Sequence, residues 1–208
     1  MKIIKILEKE YPYAKTALNF RSPLESLVAT ILSAQCTDKM VNIVTEALFQ
    51  KYQSARDYAN ADLNELEEDI RSTGFFRRKA KSIKKSCQIL VDKFDSQVPK
   101  TMEELLELPG VARKTANIVL SNVHGVVEGI AVDTHVRRIS RRLELTESED
   151  PSRIEKDLMH LVPRERWMKI TDLLISHGRR VCVSRKPKCE ICVLKALCPS
   201  AFASDQQA

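Results

Sequence analysis

Glycine is scarce in this chain, with 5 among 208 residues. That is too few for the many turns of a β-sandwich or barrel. No apolar run approaches the roughly 20 residues of a membrane-spanning helix. The N-terminal MKIIKILEKEYPY has neither a continuous apolar core nor a small-residue cleavage site. No secretory signal is read there, and a cytoplasmic location is expected. Internal repeats and low-complexity segments are also missing. What is present is the balance of a folded protein, 43% hydrophobic and 30% charged residues, long enough for one large domain or two small ones. A mostly helical fold is the expectation.

Charge is uneven along the chain. Lys and Arg number 34 against 28 Asp and Glu, a net +6. Six of the nine residues from Arg77 to Lys85 are basic; Arg137, Arg138, Arg141 and Arg142 form a second group, and Arg179, Arg180, Arg185, Lys186 and Lys188 a third. Acids gather elsewhere, as at Asp62, Glu65, Glu67, Glu68 and Asp69. Such segregation fits a phosphate backbone as partner, and equally a set of solvated helix faces.

Start and stop signals divide the chain into helices. Ser22-Pro23-Leu24-Glu25 reads as a capped start before the apolar LESLVATILSA, a helix buried on most sides. Thr37 or Asp38 caps the next helix, to about Lys51; Asp62 with Glu65 opens another, which Gly74 ends. A basic helix is expected from about Arg77 to Phe94. Thr101 with Glu104 opens a short one that Pro109-Gly110 stops, and another runs from near Ala112 to Gly125. Ser152 with Glu155 marks a third box, and residues 164–176 a further helix. The apolar Val126 to Val132 stretch has no partner strand and reads as a connecting loop.

The six cysteines fall into two kinds. Cys36 and Cys87 stand alone in helical stretches and read as buried thiols. Cys182, Cys189, Cys192 and Cys198 lie within one short segment, and without a secretory signal such a cluster points to metal rather than disulfides. Thiolates suit both zinc and iron–sulfur clusters. Zinc ribbons usually carry two close pairs, whereas only Cys189-x2-Cys192 is close here.

The most telling segment is Leu108-Pro109-Gly110-Val111-Ala112-Arg113-Lys114-Thr115-Ala116. Two helices joined by a Pro-Gly turn make a hairpin, and the first amides of the second helix can face a phosphate. This segment resembles the helix-hairpin-helix of the endonuclease III family of DNA glycosylases. Leu32-Ser33-Ala34-Gln35-Cys36-Thr37-Asp38, Val132-Asp133-Thr134-His135 and Cys182-x6-Cys189-x2-Cys192-x5-Cys198 match further segments of that family, in its order. One position departs: Ala112 stands where the family's hairpin usually has glycine.

The resemblance implies roles. Lys114 would be the nucleophile that attacks C1′ of the damaged nucleotide and forms a Schiff base; a lysine amine attacks only as the free base. Asp133 would stabilise positive charge developing on the sugar, while also suiting a helix N-cap. Gln35 and Phe75 would fill the gap left by a flipped base, although a loop glutamine and a core aromatic are the plainer readings. Ser33, Asp38 and His135 are pocket candidates. Gly110, Ala112 and Arg113 of the hairpin, and Arg185, Lys186 and Lys188 of the cysteine loop, would contact DNA. The four clustered cysteines would hold a [4Fe-4S] cluster.

The implied fold is all-α with two lobes. Residues 17–126 would form a six-helix lobe with the hairpin at about 101–124, and residues 1–16 with 127–208 a second lobe carrying the cluster loop at 182–198. Double-stranded DNA with damaged bases or abasic sites would lie across a cleft between them, with Lys114 facing Asp133, and the protein would act as a monomer. The implied activity is that of a bifunctional glycosylase and abasic-site lyase for oxidised pyrimidines in base excision repair. Monofunctional mismatch glycosylases of the same fold lack the lysine. A non-catalytic DNA-binding module and a ferredoxin-like electron carrier are the readings from other classes.

Overall fold

The computed structural model describes residues 2–201, and all regular structure among them is helical. In chain order the α-helices are α1 (Lys2–Glu10), α2 (Pro23–Leu32), α3 (Asp38–Lys51), α4 (Ala55–Asn60), α5 (Leu63–Asp69) and α6 (Phe76–Lys93). They continue as α7 (Met102–Leu106), α8 (Arg113–Val119), α9 (Thr134–Arg142), α10 (Pro151–Leu161) and α11 (Trp167–Arg180). The expected all-α class is the observed one. The chain divides into two compact units, Ala17–Glu128 and Met1–Thr16 with Gly129–Ala208.

In the Ala17–Glu128 unit, local chemistry sets the helix starts. The Ser22 hydroxyl accepts from the Glu25 amide, with Pro23 in the first turn. The Glu25 carboxylate reaches back one residue further than a capping box requires, to the Arg21 amide at 2.6 Å. Thr37, not Asp38, caps α3 by accepting from the Met40 amide, and Asp62 caps α5 through the Glu65 amide. At α7 the Thr101 hydroxyl receives the Glu104 amide, but the Glu104 carboxylate takes the hydroxyl proton rather than a backbone one. The complete reciprocal box is at Ser54 and Asp57, opening α4, a helix the sequence reading did not expect. From Ser26 to Leu32 every residue of α2 is buried, as its unbroken apolar run requires. Around it close Val41 and Leu48 of α3, Tyr58 of α4, Leu66 of α5 and Ile83 and Leu90 of α6. The helix after Ala112 does extend to Gly125, its last turn, Leu120–His124, being π-helical and ended by Gly125 at φ 65°.

The other unit has its own core. Ile4, Leu7 and Tyr11, at helical spacing along α1 and just beyond it, pack with Val136 and Ile139 of α9, Ile154 and Leu158 of α10, and Ile170, Leu173 and Leu174 of α11. The cap of α10 corrects the expectation. Asp150 accepts from the Arg153 amide with Pro151 as the first helical residue, so Ser152 lies inside the helix and Glu155 is buried. The Val126–Val132 stretch is a loop, as expected; Ile130, Ala131 and Val132 are buried in it. A hydrogen bond from the Thr171 hydroxyl meets the Ala131 carbonyl.

Candidate functional site

The hairpin turn is built against α6. Gly110 adopts φ 83°, the left-handed region where glycine alone is unstrained. A Cβ there would lie 2.9 Å from Ser82 Cβ, so the close approach also requires glycine. The Ser86 hydroxyl donates to the Pro109 carbonyl at 2.8 Å and fixes the turn to the same helix. Ala112, at φ −95° and ψ 170°, is extended backbone that any residue adopts, so alanine costs no strain where the resemblance leads one to expect glycine. No side chain caps α8. Arg113 and Lys114 are exposed in its first turn, and Ala116 and Asn117 of the next turn are buried and anchor it.

Gln35 and Phe75 share an unusual state in this unit. Gln35, in the loop between α2 and α3, has φ 53° and is exposed; Phe75, ahead of α6, has φ 48° and is 64% exposed. Left-handed backbone is uncommon for non-glycine residues and strained for a bulky aromatic. The exposed ring of Phe75 contrasts with its neighbour Phe76, which packs on the core. Of the pocket candidates, Ser33 ends α2, its hydroxyl donating to the Thr30 carbonyl. Asp38 is the half-buried first residue of α3.

In the second unit, Asp133 caps α9. Its Oδ1 accepts from the His135 and Val136 amides, each at 2.8 Å, so the cap does not engage Oδ2. A capping and a chemical role are therefore compatible on one carboxylate. Burial lowers the pKa of His135 from its ordinary value, with Asp133 opposing. Its Nδ1 receives a hydrogen bond from Arg138 Nη2 at 3.0 Å, which commits the ring to the neutral form with Nδ1 as acceptor.

No disulfide joins the four clustered cysteines, and all four line one cavity walled by Ile139, Leu143 and Leu194. Arg142 Nη1 lies 3.2 Å from Cys182 Sγ, and His177 Nε2 lies 3.5 Å from Cys192 Sγ. Burial pushes the Cys192 and Cys198 thiols up, while the backbone amides of Leu194 and Ser200 act in the opposite sense. Four soft donors around an apolar void, with N–H groups directed at sulfur, fit a thiolate-held cluster. Among the described residues, no three His, Cys, Asp or Glu form a single-ion site.

Two of the arginines grouped by sequence with a phosphate footprint serve this loop instead. Arg138 donates through Nε and Nη2 to the Cys182 carbonyl, and Arg142 to the Val183 and Ser184 carbonyls. Arg141 pairs with Glu149. Their spacing of four residues on α9 marks a shared face, but not what that face holds. Arg185, Lys186 and Lys188 are exposed on the loop, Lys186 at φ 51°. On α6, Lys79 is buried and Lys84 bonds the Ala61 carbonyl, leaving Arg77, Arg78, Lys81 and Lys85 along a groove that ends at Pro109.

The HhH-GPD superfamily base excision DNA repair protein family matches residues 28–164, and the iron–sulfur binding domain of endonuclease III matches residues 182–198. This chain belongs to the endonuclease III family. An endonuclease III of Synechocystis sp. is 56% identical over 202 residues, covering 97% of this chain and 92% of that protein. An endonuclease III solved in a non-covalent DNA complex superposes with a TM-score of 0.95 at 43% identity, covering 99% of this chain and 96% of that one. A trapped covalent endonuclease III–DNA intermediate gives 0.93 at 44%, with 97% and 95% covered. The family's iron–sulfur domain begins at Cys182 and ends at Cys198, and the cofactor is a [4Fe-4S] cluster rather than zinc. No helix among the described residues is long and apolar enough to cross a membrane.

Proposed function

We propose that Lys114 is the nucleophile of a bifunctional DNA glycosylase and abasic-site lyase that removes oxidised pyrimidines from duplex DNA. The observation that carries this is the exposed lysine in the first turn of α8, directly after the Pro-Gly turn, in an endonuclease III family chain. Lys114 Nζ attacks C1′ as the C1′–N bond to the base breaks, and the departing base takes up a proton. The C1′–O4′ bond then opens, O4′ taking up a proton as the amine gives one up, and the lysine holds C1′ as a protonated Schiff base. Loss of a C2′ proton expels the 3′ phosphate by β-elimination, and water releases the sugar from the lysine. Asp133 Oδ2, not engaged by the cap of α9, faces the developing oxocarbenium charge.

The remaining residues bind and open the duplex. Gln35 and Phe75 enter the space vacated by the flipped nucleotide, the exposed phenyl ring serving as an apolar wedge. Gly110, Ala112 and Arg113 meet the backbone at the hairpin, where the first-turn amides and the helix dipole favour a phosphate. Ser33, Asp38 and His135 are the candidates for contact with the extruded base, His135 held in place by Arg138. Cys182, Cys189, Cys192 and Cys198 hold the cluster, which when bound supplies four iron–thiolate bonds that fasten the loop. That loop presents Arg185, Lys186 and Lys188 to phosphates, and the excision itself moves no electrons.

Borohydride reduction during turnover tests the mechanism. Wild-type protein is expected to form a covalent adduct both with an oxidised pyrimidine and with a preformed abasic site, and Lys114→Gln with neither. An adduct at the abasic site alone would keep the lyase and overturn the assigned base. An undiminished adduct in Lys114→Gln would move the nucleophile elsewhere.

A further inference from the structure

Lys79 is a lysine turned into the protein. It is 5% exposed, the lowest among the basic residues of α6, and burial draws its pKa below the ordinary lysine value, with the Cys36 thiol opposing. Burying an ammonium is costly unless its donors are satisfied, and a methionine or leucine would fill the same space with less penalty. The bonds it makes are therefore informative. Lys79 Nζ donates to the Leu32 carbonyl at 2.8 Å and to the Thr73 carbonyl at 2.7 Å. Leu32 is the last residue of α2 and Thr73 the last of the 3₁₀ turn Arg71–Thr73, so both acceptors are helix-end carbonyls without an onward partner in their own helix. A cation there also meets the negative end of the α2 dipole.

Those two carbonyls stand shortly before Gln35 and Phe75, whose backbones, like those of Asp95 and Ser96 in the same unit, are left-handed. Gln35 follows Leu32 by three residues, and Phe75 follows Thr73 by two. The backbone amide of Lys79 also donates to the Phe75 carbonyl at 3.1 Å. One residue thus grips the start of the Gln35 loop, the start of the Phe75 loop and Phe75 itself.

We infer that Lys79 is a positioning residue for duplex opening, a buried tie that holds the Gln35 and Phe75 loops at the fixed separation a flipped base requires. It touches neither DNA nor the reacting atoms. The inference rests on the proposed insertion of Gln35 and Phe75 and adds what keeps the pair in register. Two strained residues on separate loops do not hold a common geometry by themselves, and each loop's own hydrogen bonds, such as Cys36 N–H to Ser33 and Gly74 N–H to Arg71, stay within that loop.

The test uses Lys79→Met, which keeps the aliphatic stem and removes the donors, beside Lys79→Arg, which retains cationic donors. The substrate carries a fluorescent base beside the lesion, whose emission rises on unstacking. Lys79→Met is expected to lower the unstacking rate and the excision of a paired oxidised pyrimidine tenfold or more. Strand cleavage at an abasic site in single-stranded DNA, which needs no opening, should stay within twofold. Lys79→Arg is expected to recover part of the opening rate. In a Gln35→Ala, Phe75→Ala background, Lys79→Met should add no further loss.

Equal loss on the single-stranded substrate would overturn the inference, because it would mark general damage to the fold. So would a full additional loss in the doubly substituted background. Normal opening by Lys79→Met, where Gln35→Ala and Phe75→Ala do slow it, would refute the tie while sparing the wedge. If those two substitutions leave opening unchanged, the wedge reading fails and the tie fails with it. Should Lys79→Met not fold, the Lys79→Arg comparison in the two backgrounds still decides, since an effect that persists without Gln35 and Phe75 contradicts positioning.

Discussion

At the scale of single residues, the sites of interest are set apart by where their polar atoms go. Asp133 gives one carboxylate oxygen to two amides and leaves the other outside the cap, whereas the Ser33 hydroxyl is given to its own helix. Asp172 on α11 is a different case, a carboxyl whose pKa burial raises above the ordinary aspartate value of 3.8, with Lys169 opposing. A raised value in the folded chain means that folding favours the protonated acid. The stability this contributes is complete below the unfolded pKa and is lost as pH rises through the folded one. Asp172→Asn keeps the shape and never ionises. It is expected to melt above wild type at about pH 7.5, with the gap closing as the pH falls toward about 4. Thermal melts at four or five pH values check this, and a gap that widens on acidification would contradict it.

At the scale of elements, the packing of α9 against α11 depends on Gly178. By helix propensity alone, Gly178→Ala would stabilise by about 1 kcal/mol. Its Cβ, however, would sit 2.6 Å from His135 Nδ1 and 3.0 Å from Ile139 Cδ1. Overpacking costs about 1–3 kcal/mol, and a 2.6 Å contact with a ring atom belongs at the upper end, about 2–3 kcal/mol, so sterics outweigh propensity by about 1–2 kcal/mol. The expected result is a melting temperature lower by roughly 2–8 °C. Because His135 accepts from Arg138, which holds the Cys182 carbonyl, iron–sulfur absorbance should also bleach at lower temperature. An unchanged or raised melting point would refute the close contact. Much at this scale was readable from the chain alone. Ser22, Thr37, Asp62 and Thr101 announce their helices because a cap is a local event between residues three apart. Asp150 was missed because Ser152 and Glu155 repeat the same pattern two residues later, and only the backbone decides between them. The direction of a side chain is not local at all. Nothing in the basic run of α6 marks Lys79 as the buried member, and nothing in the arginines of α9 shows that two of them bind the cysteine loop. The hairpin and the four cysteines could be read because short fixed spacings carry their chemistry. The positive φ at Gln35 and Phe75 could not.

For the whole molecule, the two units differ in how their order is secured. The Ala17–Glu128 unit closes on an apolar core from α2 to the π turn, with Leu27, Leu66, Ile83, Leu105 and Leu120 fully buried. In the other unit, the stretch from Cys182 to Cys198 has short 3₁₀ turns and one buried apolar residue, Leu194. So little apolar burial does not offset the entropy of ordering the segment, which places its stability in the thiolate bonds and in Arg138 and Arg142. Oxidative removal of the cluster, or Cys192→Ser, is therefore expected to act on one unit first. Amide hydrogen exchange should accelerate tenfold or more across residues 182–198 and in the last turn of α11. Protection in α2 and α6 should change by less than about threefold, as befits a separate core. The wild-type holoprotein under the same conditions is the reference. Equal loss of protection in α2 and α6 would mean that the cluster stabilises the whole chain as one cooperative unit. Unchanged exchange across 182–198 would mean that the arginine clamps suffice. With the expected pattern, loss of the cluster would remove the basic loop from DNA binding while leaving the hairpin lysine on a folded support. The cluster-free protein should then cleave abasic DNA more slowly at limiting concentrations, and near the wild-type rate at saturation.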